Sequence, residues 1–345
     1  MFKKHILLSA LTAAGLVGSV GAHAASIPVS MDLTGQGGLG TVRNIVNLDW
    51  SPDNALSIGS LSTPPCQASG ANCQPGQAVG SQYIQTVAQG ILGSFGALRP
   101  NGTTQTIGTV DADDNLTFGR EFTFVTSFYE YATGIGTATA DFSTAPGTSF
   151  YRIYADDGTL ANQITGTGYD DGDIILEGTI SFVDGVFTDK TREAGTAPGL
   201  LDQFGVDNQN GVRTHVGQGS NTITVDVSFL DPRFFLGDVS QLVMTLLLGD
   251  ATNLNTPFSQ ANPSDQVVGV TPVYSNDGLG GMLNGGDCSR ALGGLTENDQ
   301  AVARCDFHIQ TDASSSFTAI PEPGSIALMG AALGALGVMR RRRKA

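Results

Sequence analysis

Alternation of apolar and polar residues with a period of two is the feature that most limits what this chain can fold into. Residues 222–229, with the sequence TITVDVSF, show it without interruption. Successive side chains of a β-strand point to opposite faces, so this segment predicts a strand with one buried and one wet face.

Further strands are predicted at residues 116–131, 149–154, 173–183 and 239–248, separated by Asp-Gly and Asn-Asp-Gly turns. Residues 83–95 and 241–248 are compatible with either a helix or a strand. The 46 glycines and 14 prolines weigh against a helical protein. We therefore predict a mainly β fold, an antiparallel β-sandwich or a jelly roll with long Gly/Pro/Asn-rich loops. The longest predicted loops are residues 51–82 and 276–294.

The N-terminus has the pattern of a secretory signal peptide. Lys3 and Lys4 precede an apolar run over residues 6–20, and Ala22-His23-Ala24 forms an A-x-A cleavage site. Residues 1–24 are therefore predicted to be a signal helix that signal peptidase removes after Ala24.

The C-terminus has three parts in a fixed order: Pro321-Glu322-Pro323, an uncharged stretch at residues 324–339, and Arg340-Arg341-Arg342-Arg343-Lys344. As a helix, the stretch rises roughly 24 Å, which is short for a hydrocarbon core of about 30 Å. The basic cluster favours the cytoplasmic side. We expect a short transmembrane helix that inserts transiently into the inner membrane.

This tail resembles the PEP-CTERM sorting signal of exported bacterial proteins. The resemblance implies recognition by an exosortase, a membrane transpeptidase, and cleavage near the motif. The expected organisation is a signal peptide (1–24), an extracellular β-rich domain (25–310), a polar spacer (311–320) and the sorting signal (321–345). The protein is thus expected outside the cell, at the surface or in the matrix.

Processing at both ends makes the chain strongly acidic. Of 17 Lys and Arg, seven lie in the two removed segments, leaving 10; of 32 Asp and Glu, only Glu322 is removed, leaving 31 and a net charge of −21. Nucleic acid and anionic lipid are disfavoured, because both are bound through basic surfaces. Divalent cations or cationic polymers suit this charge better, although solubility alone also accounts for it.

Four cysteines, Cys66, Cys73, Cys288 and Cys305, suit an exported protein, where disulfides persist. Three pairings are possible. The local ones, Cys66 with Cys73 and Cys288 with Cys305, are favoured. A zinc site is disfavoured by the absence of C-x-x-C spacing.

No cofactor is predicted apart from a possible structural calcium. Asp111 and Asp113 begin a D-x-D-x-N triplet that lacks the glycine and the final glutamate of an EF-hand. Asp170, Asp171 and Asp173 surround Gly172 in a second oxygen-rich turn. Both are weak calcium candidates.

Trp50, the only tryptophan, lies among polar residues and is a weak candidate for a carbohydrate platform, with a core position as the favoured alternative. Adjacent carboxylates such as Asp156-Asp157 and Asp170-Asp171 are the residue type with which glycoside hydrolases act, so this class of enzyme stays an alternative. Most of these pairs stand beside glycine, as turn residues do. There is no G-x-S-x-G motif, and we predict no catalytic residue.

Residues 47–55 (NLDWSPDNA), 150–154 (FYRIY) and 166–176 (GTGYDDGDIIL) are similar to segments of the flocculation-associated PEP-CTERM proteins. That resemblance implies a secreted protein needed for cells to aggregate in an exopolysaccharide matrix, without catalytic residues. The predicted function is therefore non-enzymatic support of flocculation or biofilm. The alternatives are a secreted glycoside hydrolase and a calcium-dependent carbohydrate-binding module.

Overall fold

Strands make up all of the regular structure in the part of the chain that the computed structural model describes. The described residues are 27–37, 40–58, 63–109, 120–135, 137–161, 168–189, 199–200, 213–214, 217–236, 242–252 and 307–319.

The strands, in chain order, are β1 (Val29–Asp32), β2 (Thr41–Trp50), β3 (Asp53–Ile58), β4 (Ser81–Leu98), β5 (Thr104–Thr109), β6 (Glu121–Thr133), β7 (Thr139–Thr144), β8 (Phe150–Asp156), β9 (Asp173–Asp189), β10 (Gly199–Leu200), β11 (Arg213–Thr214), β12 (Gly217–Leu230), β13 (Phe235–Leu236), β14 (Leu242–Thr252) and β15 (Phe307–Ala319). β10 and β11 pair only with each other, and the other thirteen form one sheet.

The prediction of a mainly β, antiparallel protein is confirmed. Residues 83–95 lie in β4 and residues 242–248 in β14, although both predicted segments, 83–95 and 241–248, were compatible with a helix. Both segments are largely buried, so their apolar runs reflect burial and not a helical period. The finer assignment to a sandwich or a jelly roll stays a prediction.

Hydrogen bonding connects eight of the strands into a closed circuit. It runs β4–β3–β15–β14–β12–β9–β8–β6 and returns to β4. β4 has 18 residues and pairs with β3 and β6 in its first half, then with β2 and β5 in its second half. A strand of this length can change partners, and it thereby joins two parts of the sheet.

Several aromatic rings pack against one another in the main hydrophobic core. Trp50 meets Phe124 edge-on with ring centroids 4.9 Å apart, and Phe124 stacks on Tyr151 at 5.5 Å. Phe122, Phe124 and Phe128 of β6 share this core, as their spacing of two residues predicts. Val125, on the other face of β6, is buried in a smaller cluster with Ile91, Tyr154 and Tyr169.

One glycine makes the central ring stack possible. Gly90 of β4 lies directly opposite Phe124 of β6 in the register. A Cβ at Gly90 would come 2.5 Å from Cε1 of Phe124, closer than packed carbon atoms approach. The ring can therefore approach the backbone of β4 this closely only because residue 90 has no side chain.

Two predicted loop assignments need correction. Residues 311–319, expected to belong to a polar spacer, form most of β15. The segment is polar by count, but Ala313, Ser315 and Phe317 alternate inwards and are buried. The predicted loop at 51–82 contains β3, which pairs with both β4 and β15.

Candidate functional site

Exposed side chains form a continuous sheet surface on β7, β9, β12 and β14. Phe182 of β9 lies opposite Thr224 of β12, and Asp184 lies opposite Thr222. Thr222 and Thr224 in turn lie opposite Leu247 and Thr245 of β14. Asp141 and Ser143 of β7 continue these rows beside Val186 and Asp184. We call the set Asp141, Ser143, Phe182, Asp184, Val186, Ser220, Thr222, Thr224, Asp226, Thr245 and Leu247 the outer face.

Alternation explains why this face is formed. On the opposite side of the same strands, Val183, Ile223, Val225, Met244 and Leu246 enter the core and are at most 1 % exposed. The intervening residues must therefore point outwards. A bulge between the pairs Thr224–Phe182 and Val225–Ile180 leaves Ser181 and Phe182 both exposed.

Apolar side chains on the outer face remain in contact with solvent. The exposed fractions are 48 % for Phe182, 40 % for Val186 and 44 % for Leu247. Hydroxyl groups stand beside each of them in the register. An exposed ring among hydroxyl groups is chemistry suited to binding a polar ligand that also has apolar surface.

The charges of the outer face are all negative. Asp141, Asp184 and Asp226 are exposed, and no lysine or arginine belongs to the set of residues that defines the face. Ser181 donates a hydrogen bond through its hydroxyl to Oδ1 of Asp226 at 3.0 Å, which orients that carboxylate. This surface was not predicted from the sequence. The sequence of β9 does contain a sign of it, because Phe182 and Val186 each directly precede another apolar residue, Val183 and Phe187, and neighbours on a strand cannot both face the core.

Trp50, the carbohydrate candidate of the sequence analysis, is a core residue. It is 1 % exposed, and its indole N–H donates a hydrogen bond to Oγ of Ser315 at 2.8 Å. Its ring cannot stack on a ligand at the surface, so the favoured core interpretation fits and the platform interpretation does not.

A second group of acidic residues lies where β6, β8 and the turn before β9 meet. Glu121 is opposite Asp156 in the register and is 7 % exposed. Burial raises the pKa of Glu121 to about 7. The backbone N–H of Ala161 opposes this rise by donating a hydrogen bond to Oε2 of Glu121 at 2.7 Å, and the negative charges of Asp156 and Asp171 raise the pKa further. Oδ2 of Asp156 is buried without a hydrogen-bond partner.

The structure thus brings Asp156 and Asp171, which belong to two different Asp pairs of the sequence, close to each other and to Glu121. Glu121 was not predicted from the sequence as part of this group. The pKa of Asp171 is raised, chiefly by burial and then by Asp156. Nothing in the local sequence marked Glu121, because its role depends on strand pairing.

The calcium candidates divide between described and undescribed residues. Asp111 and Asp113 lie outside the described residues. Asp170 and Asp171 are exposed, while Asp173 accepts a hydrogen bond from Nη2 of Arg233 at 3.0 Å. Within the described ranges, no group of three His, Cys, Asp or Glu side chains has the geometry to hold a metal ion.

Glu130 is a buried acidic residue of β6 that lies apart from the outer face and from the group around Glu121. It is 1 % exposed, and burial raises its pKa to about 7. Thr86 donates its hydroxyl to Oε1 at 2.5 Å, and Oε2 has no partner. Glu121 and Glu130 are nine residues apart on one strand, about 30 Å, so they cannot act on the same bond.

The disulfide between Cys66 and Cys73 is present, as predicted from the local spacing. It closes part of the loop at residues 63–80. Tyr131 donates its hydroxyl to the carbonyl of Pro75 in the same loop at 3.1 Å. Cys288 and Cys305 lie outside the described residues.

The domain's first and last described segments meet. Ile27 donates its backbone N–H to the carbonyl of Phe317 at 2.9 Å. Neither export signal itself is described: the signal peptide with Ala22 and Ala24, the Pro321-Glu322-Pro323 motif, residues 324–339 and the basic cluster all lie outside. No helix among the described residues is long and apolar enough to span a bilayer.

Comparison with protein families identifies the tail. The family model for the PEP-CTERM protein-sorting motif matches residues 319–344. The comparisons with curated proteins and with solved structures gave no match. The chain therefore carries a PEP-CTERM sorting signal, as the resemblance of the tail predicted, and this signal supports an exported, cell-surface protein that an exosortase sorts. The match ends at the tail, so the activity of the domain is a separate question.

Proposed function

We propose that this protein is a non-enzymatic component of the cell surface or extracellular matrix that supports flocculation or biofilm by binding exopolysaccharide. The observation that carries the proposal is the sorting motif at residues 319–344, which supports a place for the domain outside the cell. The outer face supports it, because an extended surface of hydroxyl, carboxylate and aromatic groups is suited to a polar polymer.

We propose a flattened sandwich for the closed circuit of strands, which the change of partners along β4 supports. We also propose that signal peptidase cuts after Ala24, that residues 324–339 insert only transiently, and that the protein acts as the flocculation-associated PEP-CTERM proteins do.

Two experiments together test the function. Deleting the gene should disperse cell aggregates, and the purified mature protein should co-sediment with the host's own exopolysaccharide without releasing reducing ends. Aggregates that persist after deletion, together with protein that stays in the supernatant, would refute the proposal.

A glycoside hydrolase is the second candidate, because Glu121 has a pKa of about 7 beside the carboxylate of Asp156. A general acid of such an enzyme has this property. Against it, Glu121 is buried and accepts a hydrogen bond from Ala161. Release of reducing ends that Glu121→Gln abolishes would favour the hydrolase.

The third candidate is a calcium-dependent carbohydrate-binding module. Here the observation is the electrostatic repulsion of Glu121 and Asp171 by Asp156, which a cation would relieve, although these three side chains do not form a group with metal-binding geometry. Binding to the exopolysaccharide that EDTA abolishes and calcium restores would favour it, as would a melting temperature that EDTA lowers.

A further inference from the structure

We propose that the outer face binds a polysaccharide that carries free ammonium groups, that is, an amino-sugar polymer with unacetylated amines. The inference rests on the proposed exopolysaccharide-binding function and specifies both the ligand chemistry and the surface. It begins from three features of that face: its charge, the spacing of its carboxylates and the position of Phe182.

Charge selects the occupant. Asp141, Asp184 and Asp226 are exposed on the outer face, which has no lysine or arginine among its defining residues. The mature chain, with 10 basic and 31 acidic side chains, adds a repulsive field against any anion. A uronic acid polymer is therefore disfavoured. A second copy of the chain is disfavoured as well, because it would bring six carboxylates together without a counter-charge.

The spacing of the carboxylates favours a polymer over a single ion. Asp141 of β7 lies opposite Val186 of β9, and Asp226 of β12 lies opposite Thr179 of β9. Asp141 and Asp226 are therefore separated by seven residues along the strand direction and by two strand spacings across the sheet. This corresponds to about 25 Å across a sheet. Asp184 lies between them. Carboxylates so dispersed cannot converge on one metal, but an extended chain with repeated positive charges can reach all three.

Phe182 adds a second contribution to the binding of an ammonium group. Its ring is 48 % exposed and stands on the same face of β9 as Asp184, two residues along. A cation within about 6 Å of an aromatic ring centroid is attracted to the ring face. The same ring offers an apolar surface to the carbon skeleton of a sugar, while Thr224 offers a hydroxyl beside it.

The test uses the full mature chain and two soluble probes, chitosan oligosaccharides with free amines and the same oligosaccharides after complete N-acetylation. Isothermal titration calorimetry should detect binding of the first and not of the second. The triple variant Asp141→Asn, Asp184→Asn, Asp226→Asn should bind about tenfold more weakly, and Phe182→Ala several-fold more weakly.

The matched control removes the same charge elsewhere. The triple variant Asp49→Asn, Asp157→Asn, Asp312→Asn changes three exposed carboxylates away from the outer face. It should bind within about twofold of the parent protein. Circular dichroism and melting temperature should be unchanged in all variants, because every substituted side chain is exposed.

Several outcomes would overturn the inference. These are equal binding of the acetylated probe, equal losses in the two triple variants, or full binding by the outer-face variants. Self-association that depends on the outer face, detected by light scattering, would assign the face to a second copy instead.

The host's own exopolysaccharide separates this inference from the proposed function. Co-sedimentation that is lost after chemical N-acetylation of that polymer supports both. Co-sedimentation that survives N-acetylation overturns the inference and leaves the function standing. No co-sedimentation at all refutes the function, and the chitosan titrations alone then decide what the outer face binds.

Discussion

The backbone N–H of Ile27 and the carbonyl of Phe317 form a hydrogen bond of 2.9 Å, which joins the beginning of the described domain to its last strand. Ile27 follows the predicted signal cleavage site by three residues, and Phe317 precedes Pro321 by four. Both partners lie between the two predicted processing sites, so removal of the predicted signal peptide and of the tail would leave this contact in place.

Truncation tests whether β15 is part of the domain. A chain that ends at residue 320 should unfold cooperatively, with the melting temperature of the processed protein. One that ends at residue 310 loses the buried Ala313, Ser315 and Phe317 and the pairing of β15 with β2, so it should show no cooperative transition. Equal melting temperatures for the two chains would restore the interpretation of this segment as a spacer.

Ser315→Ala tests the polar contact at the centre of the core. Ser315 accepts from the indole of Trp50 at 2.8 Å and lies 3.3 Å from the Tyr151 hydroxyl. Its removal leaves a buried donor unpaired and should lower the free energy of unfolding by about 1–3 kcal/mol in urea titrations. Ser314→Ala, at the neighbouring position on the other face, is the control and should change it by less than about 0.5 kcal/mol. A negligible effect of Ser315→Ala would contradict the described core.

The same strand shows how far sequence reasoning reaches. Alternation in residues 222–229 predicted β12 because the buried positions of this segment, Ile223 and Val225, are apolar. In residues 311–319 the buried positions include Thr311 and Ser315, so the hydrophobic pattern is weak and the strand was missed. Ser315 is buried because it meets Trp50, which lies 265 residues away in the chain. No local pattern contains that information.

Glu130 should make stability depend on pH. Its pKa rises from 4.5 to about 7 on folding, so the folded chain holds a proton that the unfolded chain releases between these values. Stability should therefore fall as pH rises from about 4.5 to about 7 and level off above. Glu130→Gln should reduce this loss, by an amount on the order of 3 kcal/mol at most, as measured by urea titration at pH 5 and pH 8.

Glu121→Gln is the comparison for that experiment, because the pKa of Glu121 is also raised to about 7 and it contributes in the same direction. The double variant should have the flattest profile. If Glu130→Gln destabilises the protein equally at both pH values, the side chain is ionised throughout and the assignment is wrong.

The disulfide Cys66–Cys73 should stabilise its loop modestly. The bond spans a sequence separation of seven, for which chain entropy predicts about 2–3 kcal/mol. Cys66→Ser with Cys73→Ser should lower the free energy of unfolding by that amount or less. Adding reductant to this double variant then probes Cys288 and Cys305: a further loss supports their pairing, and no loss counts against it.

The candidate sites illustrate the same limit of sequence reasoning. The tail was recognisable because its three parts are contiguous, from Pro321 to Lys344. The outer face was not, because Asp141, Asp184 and Asp226 come from three strands that only the register aligns. The polar neighbours of Trp50 made it a weak platform candidate, but the favoured core position is the one it occupies, because as the last residue of β2 it alternates inwards.

The central claim is that the tail is a sorting signal that processing removes. The most direct measurement is the intact mass of the protein recovered from outside the cell, in the parent strain and in a strain without its exosortase. We predict that the extracellular form begins at Ala25 and lacks Arg340 to Lys344, and that the uncut chain stays with the membrane when the exosortase is absent. An extracellular form that retains Arg340 to Lys344 would contradict the account.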